Sequence, residues 1–134
     1  MEVKWISYKG CRILYADYRG AKNELQVLEV LSKFDREMDL EIEKAQTENN
    51  PSRVFLSFVN LQDVFVSGKY MDESSRMTKK WFSKLGTWKA FGAVVGVQGI
   101  KKVLYDGYVR VSGNKLTKAF DTEEAAKEWL VSNK

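Results

Sequence analysis

The period of the apolar positions changes several times along the chain, and each change marks an element. Val3 to Tyr8 mixes Val, Trp, Ile and Tyr with polar residues, the pattern of a half-buried strand. Lys9-Gly10 reads as a tight turn and Arg12–Tyr18 as a second strand, so the two predict a hairpin that Arg19-Gly20 ends. From Asn23 the period lengthens. Leu25, Leu28, Leu31, Phe34, Met38, Ile42 and Ala45 recur every three or four residues, the spacing that lines one helix face. Asn23 and Gln26 form a candidate capping box, and a helix from there to Gln46 would be about 35 Å long.

The only proline, Pro51, lies in the loop signature Glu48-Asn49-Asn50-Pro51-Ser52. Arg53–Asn60 is almost continuously apolar, as is Ala90–Val97. Strands of this kind are covered on both faces and are usually parallel, so the two are expected as adjacent central strands. Between them a helix starts near Ser67, with Tyr70, Ser74, Met77, Trp81 and Leu85 on one face and Met71, Thr78 and Phe82 beside it. Gly86 suits its left-handed stop. Gln98-Gly99 leads to a further predicted helix with Ile100, Val103, Leu104, Tyr108 and Val111 inward, closed by Gly113-Asn114. Leu116–Phe120 is a short strand. Asp121-Thr122-Glu123-Glu124 caps a last helix anchored by Ala125, Ala126, Trp129 and Leu130. This alternation predicts an α/β fold over residues 1–134: a single mixed, mostly parallel sheet, an N-terminal antiparallel hairpin and about four helices.

Composition narrows the chemistry more than the class. At 44% hydrophobic and 30% charged, the chain has the balance of a folded domain rather than a disordered one. It contains no histidine and one cysteine, Cys11. That removes Ser-His-Asp and Cys-His catalysis, an internal disulfide and a cysteine metal cluster, and no cofactor is expected. No apolar run approaches the roughly 18 residues of a membrane span, and Met-Glu-Val-Lys-Trp has no apolar signal core, so a cytoplasmic location is expected. Residues 1–67 carry 9 basic and 11 acidic side chains, and residues 68–134 carry 13 and 7. The basic half raises the question of an anionic partner, but the net charge of +4 is modest and no nucleic-acid motif accompanies it.

The hairpin ending Tyr15-Ala16-Asp17-Tyr18-Arg19-Gly20 resembles the start of the SpoIIAA-like proteins, the STAS/SEC14-type domains. The stretch from Ala93 to Leu130 is similar to that family's C-terminal half, with its Val-Gly-x-x-Gly turn, the Ser112-Gly113 pair and the Phe-Asp-Thr-Glu-Glu-Ala entry to the last helix. The resemblance implies a small α/β fold without a catalytic centre, acting as an anti-sigma factor antagonist or as a regulatory module for proteins or nucleotides. It also suggests the Sec14 lipid-binding fold. In the antagonists a serine is phosphorylated at the N-terminus of the helix after the third strand, in a pattern close to Asp-Ser-Ser-Gly. Here the matching loop runs from Asn60 to Gly68 and retains Ser67-Gly68 of that pattern.

Several residues are therefore candidates for a site. Ser67 is either an N-cap or a phosphosite, where phosphate would meet free N–H groups. Gly96-x-x-Gly99 is either a tight strand-to-helix turn or an anion cradle. Asp17 and Asp63 could approach each other at one sheet end, for acid–base work or Mg²⁺ binding, although solvated loop aspartates are commoner. Arg76, Lys79, Lys80, Lys84, Lys101 and Lys102 form either a solvated face or a groove for single strands. Met71, Met77, Trp81, Phe82 and Trp88 exceed one narrow helical stripe and could line an apolar pocket or a partner surface. Taken together, the residues point to a non-enzymatic regulatory or binding module. Its site is expected in the crevice beyond the carboxyl ends of the strands, built from Asp63, Ser67, Gly68, Tyr70, Gln98 and Gly99. The ligand would be a protein partner or a small apolar or anionic molecule, with oligomeric state, a homodimer included, left open. The second reading is a carrier of a small apolar or lipid-like ligand held between the helix after Ser67 and the sheet.

Overall fold

The computed structural model describes residues 1–50, 53–97 and 117–133. Strands β1 (Glu2–Tyr8) and β2 (Cys11–Asp17) form the expected hairpin, with Tyr8 opposite Cys11. The two-residue turn needs positive φ at both positions, and Lys9 (49°) and Gly10 (78°) supply it. Helix α1 spans Glu24–Glu48 and leads to β3 (Val54–Asn60); α2 (Gly68–Leu85) leads to β4 (Lys89–Val95). Strand β5 (Thr117–Phe120) precedes α3 (Glu123–Ser132). The strands lie in the order β1-β2-β3-β4-β5, antiparallel at β1–β2 and parallel elsewhere.

The two apolar runs are adjacent, parallel and central, in register from Val54 opposite Lys89 to Asn60 opposite Val95. Alternation along each strand then divides the core in two. Leu14, Ala16, Phe55 and Val94 face α1 and α2, whereas Ile13, Tyr15, Leu56, Phe58, Ala93 and Val95 face Ala126 and Leu130 of α3. Three helices are described; the helix expected around Ile100–Val111 lies outside the described residues. None of the described helices is long and apolar enough to cross a membrane.

Helix starts follow local chemistry. Asn23 Oδ1 accepts the Gln26 N–H at 2.9 Å, Ser67 Oγ the Tyr70 N–H at 3.1 Å, and Thr122 Oγ1 the Ala125 N–H at 3.1 Å. The capping box at α1 is shifted by one residue, because Gln26 Oε1 accepts from the Lys22 N–H instead of that of Asn23. The inner face of α1 also differs from the expectation at its start. Leu25 is 66% exposed, and the buried series begins at Val27 and continues through Leu31, Phe34, Met38 and Ile42. Two helical positions are about 200° apart around the axis, so Leu25 and Val27 cannot share a face. In α3, likewise, Ala125 is exposed, and Ala126, Trp129 and Leu130 make the anchor.

Glu41 is the one charged residue on the buried face of α1. Arg12 reaches it at 2.8 and 3.0 Å and Arg53 at 2.7 Å, so its carboxylate is paired where α1 crosses the sheet. The closest neighbour of α2 is α1, and its backbone stands further from the sheet than that of α1 does. That stand-off shapes the site.

Candidate functional site

A cavity lies between α2, α1 and the sheet. Its volume is about 90 Å³, and it opens to solvent. That is several times the roughly 10–15 Å³ that one water requires. It is therefore larger than an ordinary packing void. Helix α1 contributes Leu31, Phe34 and Met38; α2 contributes Tyr70, Met77 and Trp81; the sheet contributes Phe55, Ala90 and Val94. Leu61 and Val66 line it at the end where β3 leaves the sheet. None of the described residues that line it is Asp, Glu, Lys or Arg, and its polar groups are hydroxyls and backbone.

The sequence explains why the space exists. Met77 and Trp81 are bulky, yet their helix is tied sideways to α1. Trp81 Nε1–H donates to Asp35 at 2.9 Å, and the Lys80 ammonium bridges Asp35 and Asp39 at 2.8 and 2.9 Å. Partial burial pulls the Lys80 pKa down, and the two aspartates outweigh that and hold it raised. Facing α2, the sheet presents Ser57, Ala90 and Gly92, whose small side chains do not fill the gap.

A second cluster lies on the opposite face, at the carboxyl ends of β2 and β3. The Asn60 side-chain N–H donates to Glu123 Oε1 at 2.8 Å and the Tyr15 hydroxyl to the same oxygen at 3.1 Å, while Gln62 N–H donates to Asn60 Oδ1 at 2.9 Å. Burial pushes the Tyr15 phenol up to about 12, with the Asp17 and Glu123 carboxylates adding to it. Arg19 meets Asp17 with its side chain at 3.0 and 2.9 Å and with its backbone N–H at 3.0 Å. Burial alone would raise the Asp17 pKa, and these bonds outweigh it and leave it lowered. Each of these groups has a partner, and the cluster ties α3 to the sheet.

Of the expected site residues, the structure brings Ser67 and Tyr70 together at the start of α2. Tyr70 is buried in the cavity wall, its ring edge-on to Tyr18 at 5.5 Å. Ser67 is partly exposed at the start of α2, its oxygen engaged by the Tyr70 N–H, and Gly68 is exposed beside it. Asp63 is exposed, with φ 59°, in the turn after β3, and Asp17 is paired with Arg19. Gln98, Gly99, Lys101 and Lys102 lie outside the described residues. Of the basic side chains on α2, Arg76 pairs with Glu73, Lys80 and Lys84 pair with aspartates of α1, and Lys79 is exposed. Cys11 is buried, its Sγ 3.9 Å from the Lys9 carbonyl oxygen.

Two groups of residues were missed at the level of sequence: Tyr15, Asn60 and Glu123 in the polar cluster, and Ser57, Gly92 and Thr117 on the cavity floor. The available signals were a serine inside the apolar run of β3 and a glycine inside that of β4. Comparison with known proteins brings no relative to this site: no family model, no curated protein and no solved structure matches the chain.

Proposed function

We propose that this chain is a non-enzymatic binding module, of the SpoIIAA-like STAS/SEC14 type that its sequence resembles, whose ligand is a small apolar molecule held between α2 and the sheet. The cavity carries this reading. Its walls are aromatic, methionine and aliphatic side chains with a few hydroxyls, the kind of lining that small-molecule sites have. The lining offers no carboxylate, amine or guanidinium among the described residues, which favours binding over acid–base chemistry. The regulatory reading at Ser67 has less support, because the hydroxyl is already engaged as the cap of α2.

The test is saturable binding of an environment-sensitive apolar dye, with native mass spectrometry of the purified protein for co-purifying molecules. One dye per chain is expected, displaced by medium-chain apolar compounds. Ala90→Leu fills space on the cavity wall and should weaken the dye while leaving the thermal melt close to wild type. Non-saturable dye uptake, or full-strength binding by Ala90→Leu, would count against the reading.

A further inference from the structure

We propose that the ligand is uncharged and carries one hydrogen-bonding group, a hydroxyl or a carbonyl, which sits over Gly92 between the hydroxyls of Ser57 and Thr117. This rests on the cavity reading above and gives its ligand a chemical class.

Register places the three residues side by side. Ser57 of β3 is opposite Gly92 of β4, and Gly92 is opposite Thr117 of β5. All three line the cavity. A methyl group placed at Gly92 would lie 3.3 Å from Ser57 Oγ and 3.3 Å from Thr117 Oγ1. The two hydroxyls therefore flank the place of the missing side chain; a ligand atom cannot occupy that place, which is at bonding distance from the Gly92 Cα, but it can rest above it between them. The absent side chain therefore leaves a berth for one small polar atom, flanked by two hydroxyls on a floor that is otherwise apolar. Each hydroxyl has one donor and two acceptor positions, so the pair can serve an alcohol or a carbonyl and still keep other partners.

The lining also limits the charge of the ligand. No Asp, Glu, Lys or Arg borders the cavity among the described residues. Against these described residues a carboxylate or ammonium would lose its hydration without gaining a counter-ion, whereas a neutral group needs only the hydroxyls. The opposite-face carboxylates of Asp17 and Glu123 are bonded to Arg19, Asn60 and Tyr15.

The experiment uses 1-decanol, n-decane and decanoate as competitors of the bound dye, at a pH where decanoate is ionised. Decanoate should bind the wild-type protein at least 10-fold more weakly than decanol. Ser57→Ala and Thr117→Val should each weaken decanol by about 3- to 10-fold, the loss of one neutral hydrogen bond, and leave decane unchanged. Gly92→Ala should weaken decanol more than decane, since its methyl intrudes on the berth. Decanoate binding as tightly as decanol, or variants that shift decane and decanol equally, would overturn the neutral-headgroup inference and leave an apolar cavity standing. Failure of all three competitors to displace the dye would overturn both.

Discussion

Gly96→Ala is expected to cost far more than its size suggests. Gly96 follows β4 with φ 87°, in the region that L side chains rarely adopt. A Cβ there would lie 2.5 Å from Gln62 Cα and 2.7 Å from the Leu61 carbonyl carbon, and closer still to Gln62 N. The obstruction is backbone, so no rotamer change relieves it. It is also held in place: Leu61 N–H donates to the Val95 carbonyl at 2.9 Å, Gln62 N–H to Asn60 Oδ1 at 2.9 Å, and Val64 N–H to the Leu61 carbonyl at 3.2 Å. The positive φ alone costs about 1–2 kcal/mol. Displacing the turn by roughly an ångström adds an overpacking term of about 1–3 kcal/mol. The expected loss is about 2–5 kcal/mol. With a urea slope of about 2 kcal/mol per molar, the unfolding midpoint should fall by about 1–2.5 M. Gly20→Ala is the control, because Gly20 has φ 92° and nothing within 4 Å of the added carbon, so only the backbone term applies. Equal losses in the two variants, or a Gly96→Ala loss below about 1 kcal/mol, would refute the close-approach argument.

Three further outcomes are expected. Ser67→Ala removes the oxygen that accepts the Tyr70 N–H and should lower stability by about 1 kcal/mol in urea melts, whereas Ser67→Asp, which keeps an acceptor, should be nearly neutral. The lowered pKa of Asp17 means that its contribution is complete above an unfolded value of about 3.9 and is lost as pH falls through the lower folded value; Arg19→Gln should therefore move acid unfolding to higher pH, and an unchanged acid midpoint would contradict this. The raised pKa of Tyr15, about 12, has the opposite sign: its contribution is complete below about pH 10 and is lost as pH rises towards the folded value. The ultraviolet difference between wild type and Tyr15→Phe should therefore show a late-ionising phenol, and ionisation near pH 10 would contradict the burial argument.

What was legible in the sequence is what local chemistry decides. Asn23, Ser67 and Thr122 could be read as helix starts because a cap needs only an oxygen and an N–H a few residues on. The central place of β3 and β4 was legible because a strand covered on both faces cannot alternate. Leu25 misled because an apolar residue in the first turn of a helix fits a loose three-to-four spacing even when it points outward. Gly96 was ambiguous for a different reason. A glycine after a strand suits an anion cradle as well as a tight turn, and only the crossing of Leu61–Gln62 over its Cα shows what requires it.

The candidate site was hidden because it depends on register. Ser57, Gly92 and Thr117 belong to three strands, and shifting any one by a single residue would turn its side chain to the other face of the sheet. The same rule separates the chemistry of the two faces. Tyr15 and Asn60 share the α3 face with the Asp17–Arg19 and Glu123 contacts, while Leu14, Ala16 and Phe55, offset by one position or an odd number of positions, belong to the other core. One layer of backbone therefore stands between a cluster of paired charges and a cavity walled by hydroxyls and apolar groups. Paired carboxylates at the carboxyl ends of strands can suggest acid–base chemistry in a sequence. Here their bonds fasten α3, and the cavity lies on the other face, lined by no charged side chain among the described residues.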